Sequence, residues 1–169
     1  MRRLHALIAT LIFTTCFLGF QPADAQESPN AAVLQANADF YAALNAMFVG
    51  DVDPMIQVWS HASDVSYLGP DDSFVVGWEN VLKQWQAHAG FKLNGEVTAS
   101  DEYVVAGETL AVVINREVGF IQPNDKKIPV DARATNTFRL EAGEWKMIGH
   151  HTDLIPIQPK PGASSANEN

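Results

Sequence analysis

Residues 128–155 read IPVDARATNTFRLE-AG-EWKMIGHHTDLI, and this stretch decides the fold. Its even positions Ile128, Val130, Ala132, Ala134, Phe138 and Leu140 are apolar, with Asn136 the one polar residue among them. The odd positions are mostly Asp, Arg and Thr. A period of two is the signature of a strand with one buried face. Ala142-Gly143 supplies a tight turn, and Trp145 and Met147 then alternate with Lys146. Pairing Leu140 with Trp145 sets Phe138 against Met147, Asn136 against Gly149 and Ala134 against His151. A slip of one residue buries Lys146, so this register is preferred. It predicts an inner face of Trp145, Met147, Gly149, His151 and Asp153, with His150 outside.

Working outward, Glu96 to Val105 and Leu110 to Ile121 repeat the two-residue period, with Gly107-Glu108 and Pro123-Asn124-Asp125 as turns. Upstream the period is helical. Ser28-Pro29 opens a helix that carries Val33, Phe40, Tyr41, Leu44, Met47 and Phe48 on one face and ends at Gly50. Asp53-Pro54 starts a short second helix through Trp59. Val65 to Leu68 and Phe74 to Val76 make a brief hairpin, and a third helix follows Gly77 with Trp78, Val81, Leu82, Trp85 and Ala89 on one face. Helices followed by a four-strand meander predict an α+β domain, with helices packed on one face of a bent antiparallel sheet.

On that register Asn136, His151 and Asp153 share the inner face, and Tyr67 and Trp59 close over them. A carboxylate two residues from an imidazole suits a proton-transfer pair, with Tyr67 and Asn136 as donors. The competing reading is that they are hydrogen-bonded core groups, the commoner fate of buried polar residues. Gly149 favours a site, because a missing side chain opposite Asn136 leaves room for a ligand. Trp59, Trp85, Phe138 and Met147 would wall the pocket, with His88 near its mouth and His61 tethering a loop. A metal held by His61, His151 and Asp153 can be drawn, but no helical ligand spacing supports it. No Gly-rich phosphate loop and no nucleophile elbow occurs. No cofactor or metal is therefore expected.

The ends bound the setting. Arg2-Arg3, an uncharged apolar run from Leu4 to Phe20 and the Ala23-Asp24-Ala25 triplet read as a cleaved secretory signal over residues 1–25. An uncleaved anchor, twin-arginine export and a lipoprotein at Cys16 each fit less well. The expected mature domain is 26–155, secreted or periplasmic, with a Pro/Gly/Ser/Asn-rich disordered tail over 156–169. Cys16, the single cysteine, leaves with the signal, so disulfides and thiolate chemistry are excluded. Net charge is −9, and loss of Arg2, Arg3 and Asp24 makes it one unit more negative. Such a domain repels nucleic acid and anionic membrane surfaces.

Gly50-Asp51 through Trp59, Asp64-Val65-Ser66-Tyr67, Gly77-Trp78-Glu79 and Glu144-Trp145-Lys146-Met147-Ile148-Gly149-His150-His151 together resemble the SnoaL-like, ketosteroid-isomerase-like branch of the nuclear transport factor two superfamily. The resemblance covers about Ala31 to Ile155. It implies a cone-shaped, cystatin-like fold: a long helix and two shorter ones against a strongly bent sheet, with a pocket in the cone. It also implies a homodimer through the outer sheet face, where Arg133, Thr135, Thr137 and Arg139 promise a polar interface. Matched to the steroid isomerases, the oxyanion-donor tyrosine falls at Ala43, the general-base aspartate at Tyr67 and the protonated aspartic acid at Asn136. None is present in kind, so steroid isomerisation is not expected. Two functions stay open. One is a pocket for a small, largely apolar molecule, with or without isomerase, dehydratase or cyclase chemistry. The other is a non-catalytic dimerisation module whose cone is filled by Trp59, Trp85 and Phe138.

Overall fold

The computed structural model describes residues 29–154; the expected signal over 1–25 and tail over 156–169 lie outside them. Helix α1 (Pro29–Phe48) begins on its proline, and past its end Gly50 takes φ 100° while its N–H meets the Met47 carbonyl at 2.9 Å. Its apolar face is buried: Val33, Phe40, Tyr41, Leu44, Met47 and Phe48 all lie in the core. Helix α2 (Asp53–Val58) is only six residues long. Strands β1 (Ser66–Leu68) and β2 (Phe74–Val76) form the hairpin. Helix α3 (Trp78–Phe91) ends on Lys92 in the left-handed region, its N–H bonded to the Ala89 carbonyl. Then come β3 (Gly95–Ala106), β4 (Leu110–Ile121), a 3-10 turn (Pro123–Asp125), β5 (Ile128–Glu141) and β6 (Glu144–Leu154).

The six strands form one sheet in the order β2-β1-β6-β5-β4-β3, with α1 lying against β3, β4 and β6. Two expectations are corrected. The sheet is mixed rather than purely antiparallel, because β1 runs parallel to β6. Nor do three helices precede it: α3 follows the β1–β2 hairpin, leaving one long helix and one short one ahead of the strands. In both cases the cause is the hairpin between α2 and α3, whose β1 joins the edge of the sheet at β6.

The alternation read in β5 holds: Ala132, Ala134, Asn136 and Phe138 are buried. The register across the β5–β6 turn holds only as far as Met147. Leu140 faces Trp145 and Phe138 faces Met147, but Thr137 then faces Gly149 and Asn136 faces His150. Ile148 is a bulge, an extra residue that inverts the inward and outward positions beyond it. The bulge sits where β6 changes neighbours. The Met147 carbonyl accepts the Ser60 N–H at 2.9 Å, and two residues later Gly149 is paired with Ser66 of β1.

Candidate active site

The inversion replaces the expected residues with their neighbours. His150 and Thr152 are buried on the inner face, whereas His151 and Asp153 lie on the outer face and pair with each other at 3.0 Å. The His151 side chain is 50% exposed and that of His150 is 2% exposed. The His151–Asp153 pair expected inside the pocket is therefore a surface contact. Gly149 is also outside; a Cβ there would meet Thr137 and Ser66 at an ordinary 3.5 Å, so the glycine opens no space in the core.

On the inner face a polar network surrounds His150. Its Nδ1 lies 2.6 Å from Asn136 Oδ1, and its Nε2 lies 3.7 Å from Glu117 Oε1. Glu117, from β4, accepts the Tyr41 hydroxyl at 3.1 Å on Oε1 and the Thr152 hydroxyl at 2.6 Å on Oε2. Tyr41 in turn accepts Asn115 Nδ2 at 2.8 Å and Asn136 Nδ2 at 3.3 Å, so its own proton is directed to Glu117. Burial, reinforced by the negative charge of Glu117, holds the Tyr41 phenol far above its ordinary value, which keeps it a donor. Burial likewise lowers the His150 pKa, against the opposing pull of Glu117 and with the added push of His151. His150 is thus neutral near pH 7, beside a carboxylate.

A cavity of about 360 Å³ opens onto this pair. Its walls are apolar, from Leu44, Met47, Phe48 and Trp85 on the helices to Val97, Ile121, Val130 and Ala132 on the sheet. Glu117, His150 and Thr152 are its polar lining from the sheet, and Tyr67, Asp71 and His88 border it from the hairpin and α3. The Tyr67 ring stacks on His150 with centroids 5.8 Å apart and planes 13° from parallel. Burial, then Asp71 and Glu117, push the Tyr67 phenol well above its ordinary value, so it too keeps its proton. Among the described residues its hydroxyl makes no hydrogen bond. His88 Nε2 lies 3.0 Å from Asp71 Oδ2, joining α3 to the β1–β2 turn. Burial raises the Asp71 carboxyl, but bonds from Ser73 and His88 outweigh it and leave it below the usual carboxylate range.

Of the expected pocket walls, Trp85 lines the cavity, as does Tyr67, expected as a donor; Trp59, Phe138 and Met147 are buried in the core but are not among its lining residues. Asn136 is in place, as the partner of His150 rather than of His151. His61 tethers a loop as expected, through Nε2 to the Ile56 carbonyl, and stacks on Trp78. Among the described residues no group of three His, Cys, Asp or Glu side chains is placed to hold a metal. Tyr41, Asn115, Glu117, His150 and Thr152 escaped the sequence. Glu117 and Asn115 hide because β4 is apolar on both faces: Ala111 and Val113 precede them inside, but Leu110, Val112, Ile114 and Val118 make the other set look more core-like. The usable signal lay in β5, whose buried Ala134 is paired with Asn115 and whose Ala132 is paired with Glu117.

Residues 33–158 match the family model described as a SnoaL-like domain. No curated protein sequence matches the chain. Many solved structures do. One named as a dehydratase of the NTF2-like family, from Streptomyces avermitilis, is 23% identical over 75% of this chain and 97% of its own, with TM-score 0.66. One named for a calcium/calmodulin-dependent protein kinase type II association domain, from Thiobacillus denitrificans, is 28% identical over 71% and 92%, with TM-score 0.59. An NTF2-like protein of unknown function from Pseudomonas putida is 17% identical over 76% and 95%, with TM-score 0.63. With a long helix laid in a six-stranded mixed sheet that is similar to the NTF2-like fold, and a family match across nearly all the described residues, the chain belongs to the SnoaL-like domain family.

Proposed function

We propose that this domain binds a small, largely apolar molecule in the 360 Å³ cavity and moves a proton on it through His150. The observation that carries this reading is the pair of His150 Nε2 and Glu117 Oε1, 3.7 Å apart at the cavity wall. With His150 neutral, the pair has room for one more proton. Nε2 takes it from a carbon of the ligand, and the imidazolium so formed lies beside the Glu117 carboxylate. Tyr67 donates to an oxygen of the ligand as charge builds there. Returning the proton to another carbon gives an isomerase. Delivering it to a leaving hydroxyl gives a dehydratase. The cavity is at the small end of ligand pockets, which suits a compact substrate. Its charged lining groups are carboxylates, so an anionic ligand is disfavoured.

The test incubates the mature protein in D2O with a panel of compact cyclic ketones and enones and reads deuterium at the α-carbon by mass spectrometry. Exchange that is lost in His150→Gln supports the reading. Exchange unchanged in that variant, or absent across a panel shown by calorimetry to bind, overturns it.

A non-catalytic module with a filled cone fits less well, because Trp59 and Phe138 leave the cavity open. Self-association is compatible with either function. The outer face is less polar than the sequence suggested: Tyr103 and Val105 of β3 and Leu110 and Ile114 of β4 are exposed beside Thr135 and Thr137. A homodimer through this face is expected by light scattering, and Ile114→Asp should make it a monomer. For export, the expected N-terminus of the mature protein is Gln26, read by intact mass.

A further inference from the structure

The proton-transfer reading requires that the lone pair of neutral His150 sit on Nε2, the nitrogen toward Glu117. An unconstrained imidazole in water favours the opposite tautomer, with the proton on Nε2. Something must therefore hold the proton on Nδ1, and hydrogen-bond directions trace what does so. Glu102, as a carboxylate, only accepts. Asn37 lies with Nδ2 2.7 Å from Glu102 Oε1, so it must donate there and turn its Oδ1 inward. That Oδ1 accepts Asn136 Nδ2 at 2.7 Å. Asn136, having turned its amide nitrogen to Asn37 and Tyr41, can offer His150 only its oxygen. At 2.6 Å from that oxygen, Nδ1 must carry the hydrogen. Tyr41, donating to Glu117, agrees with this direction from the other end.

The chain starts at the surface because of a second bulge. The β3–β4 register shifts between Ser100 and Tyr103, and Asp101 takes φ 55°. Before it Val97 and Ala99 pack on the core, and after it Val104 and Ala106 do. The inward set thus changes from odd to even positions, and Glu102 belongs to the new inward set at the sheet edge, where it reaches the fully buried Asn37.

We propose that Glu102 is a positioning residue: through Asn37 and Asn136 it sets the Nδ1–H tautomer of His150 and so leaves Nε2 as the basic nitrogen. This rests on His150 being the proton-transfer group, yet it is read without any substrate. Two-bond proton–nitrogen correlation spectra of the nitrogen-labelled protein report the tautomer directly, recorded at a pH where His150 is neutral. The wild type should show the Nδ1–H pattern. Glu102→Gln should keep it, since a carboxamide oxygen still accepts from Asn37. Glu102→Lys offers only donors, and should convert a substantial fraction of His150 to the Nε2–H pattern. Because Glu102 is exposed, both variants are expected to fold. An Nε2–H wild type overturns the proposal and needs no variant. So does a Glu102→Lys spectrum identical to wild type, or a Glu102→Gln spectrum as altered as that of Glu102→Lys. Loss of deuterium exchange in His150→Gln together with a Glu102→Lys spectrum that keeps the wild-type Nδ1–H pattern would sink the relay and leave the proton-transfer reading standing.

Discussion

The inner face of the sheet has two ends that look alike in sequence and behave differently in structure. At one, Trp59, Phe138 and Met147 are packed with no accessible space, and Trp59 extends the sheet by pairing with Met147. At the other, Leu44, Met47, Trp85 and Val97 surround an open cavity with His150 and Glu117 on its wall. Both ends are apolar, and both contain tryptophan. The difference lies in what the core has been asked to bury. The packed end buries hydrocarbon, which fills space completely at interior density. The open end buries a carboxylate and an imidazole, whose bonds to Tyr41, Asn136 and Thr152 fix their positions and leave the volume in front of them empty. One end is filled with hydrocarbon, and the other holds polar groups beside open space.

The largest effects should come from breaking the open end chemically. His150→Gln should lower deuterium exchange by roughly 10²–10⁴-fold, the usual share of a general base, with the circular dichroism spectrum unchanged. Equal exchange in variant and wild type would mean that this end, like the other, is only core. Phe138→Ala tests the packed end: urea melts should show a loss of about 3–5 kcal/mol, as for a large buried aromatic whose space cannot refill. Leu44→Ala, beside the existing cavity, should cost less.

A third expectation separates the ends by pH. The folded pKa of His150 lies below its unfolded value, because burial disfavours the charged ring. Below the ordinary imidazole value, near 6.5, the unfolded chain therefore binds more protons than the folded one. Stability from this group is present above that value and is lost as pH falls toward the folded pKa, by up to about 1.4 kcal/mol per pH unit. Thermal melts between pH 7 and 5 should show this slope in wild type and a shallower one in His150→Gln. Phe138→Ala should keep the wild-type slope at a lower stability. The smallest effect belongs to the residue the sequence favoured: His151→Gln removes an exposed contact with Asp153, worth under about 1 kcal/mol, and should leave exchange intact.

Much of this was legible in the sequence. The strand boundaries of β4 and β5, the start of α1 at Pro29 and the start of α3 after Gly77 follow from local period and turn chemistry, and the structure keeps them. Asn136 was legible as a polar residue on an apolar face, and Tyr67 as a residue above it. The site itself was read one residue out of place. Pairing from the Ala142-Gly143 turn assumes that every residue of β6 has a partner on β5, and Ile148 has none. Glu117 was missed for a related reason: β4 offers two apolar faces, and only its pairing with β5 says which is inside.

By itself, then, the chain determined its helices, its turns, the buried face of β5 and its family, because each depends on residues within a few positions of one another or on a pattern spanning the domain. Tertiary structure alone decided which histidine is inside. The bulge at Ile148 sits where β6 passes from Ser60 on one side of it to Ser66 on the other, more than eighty residues upstream. No local pattern marks that change of neighbours, and the extra residue there turns His150 toward Glu117 and His151 toward water.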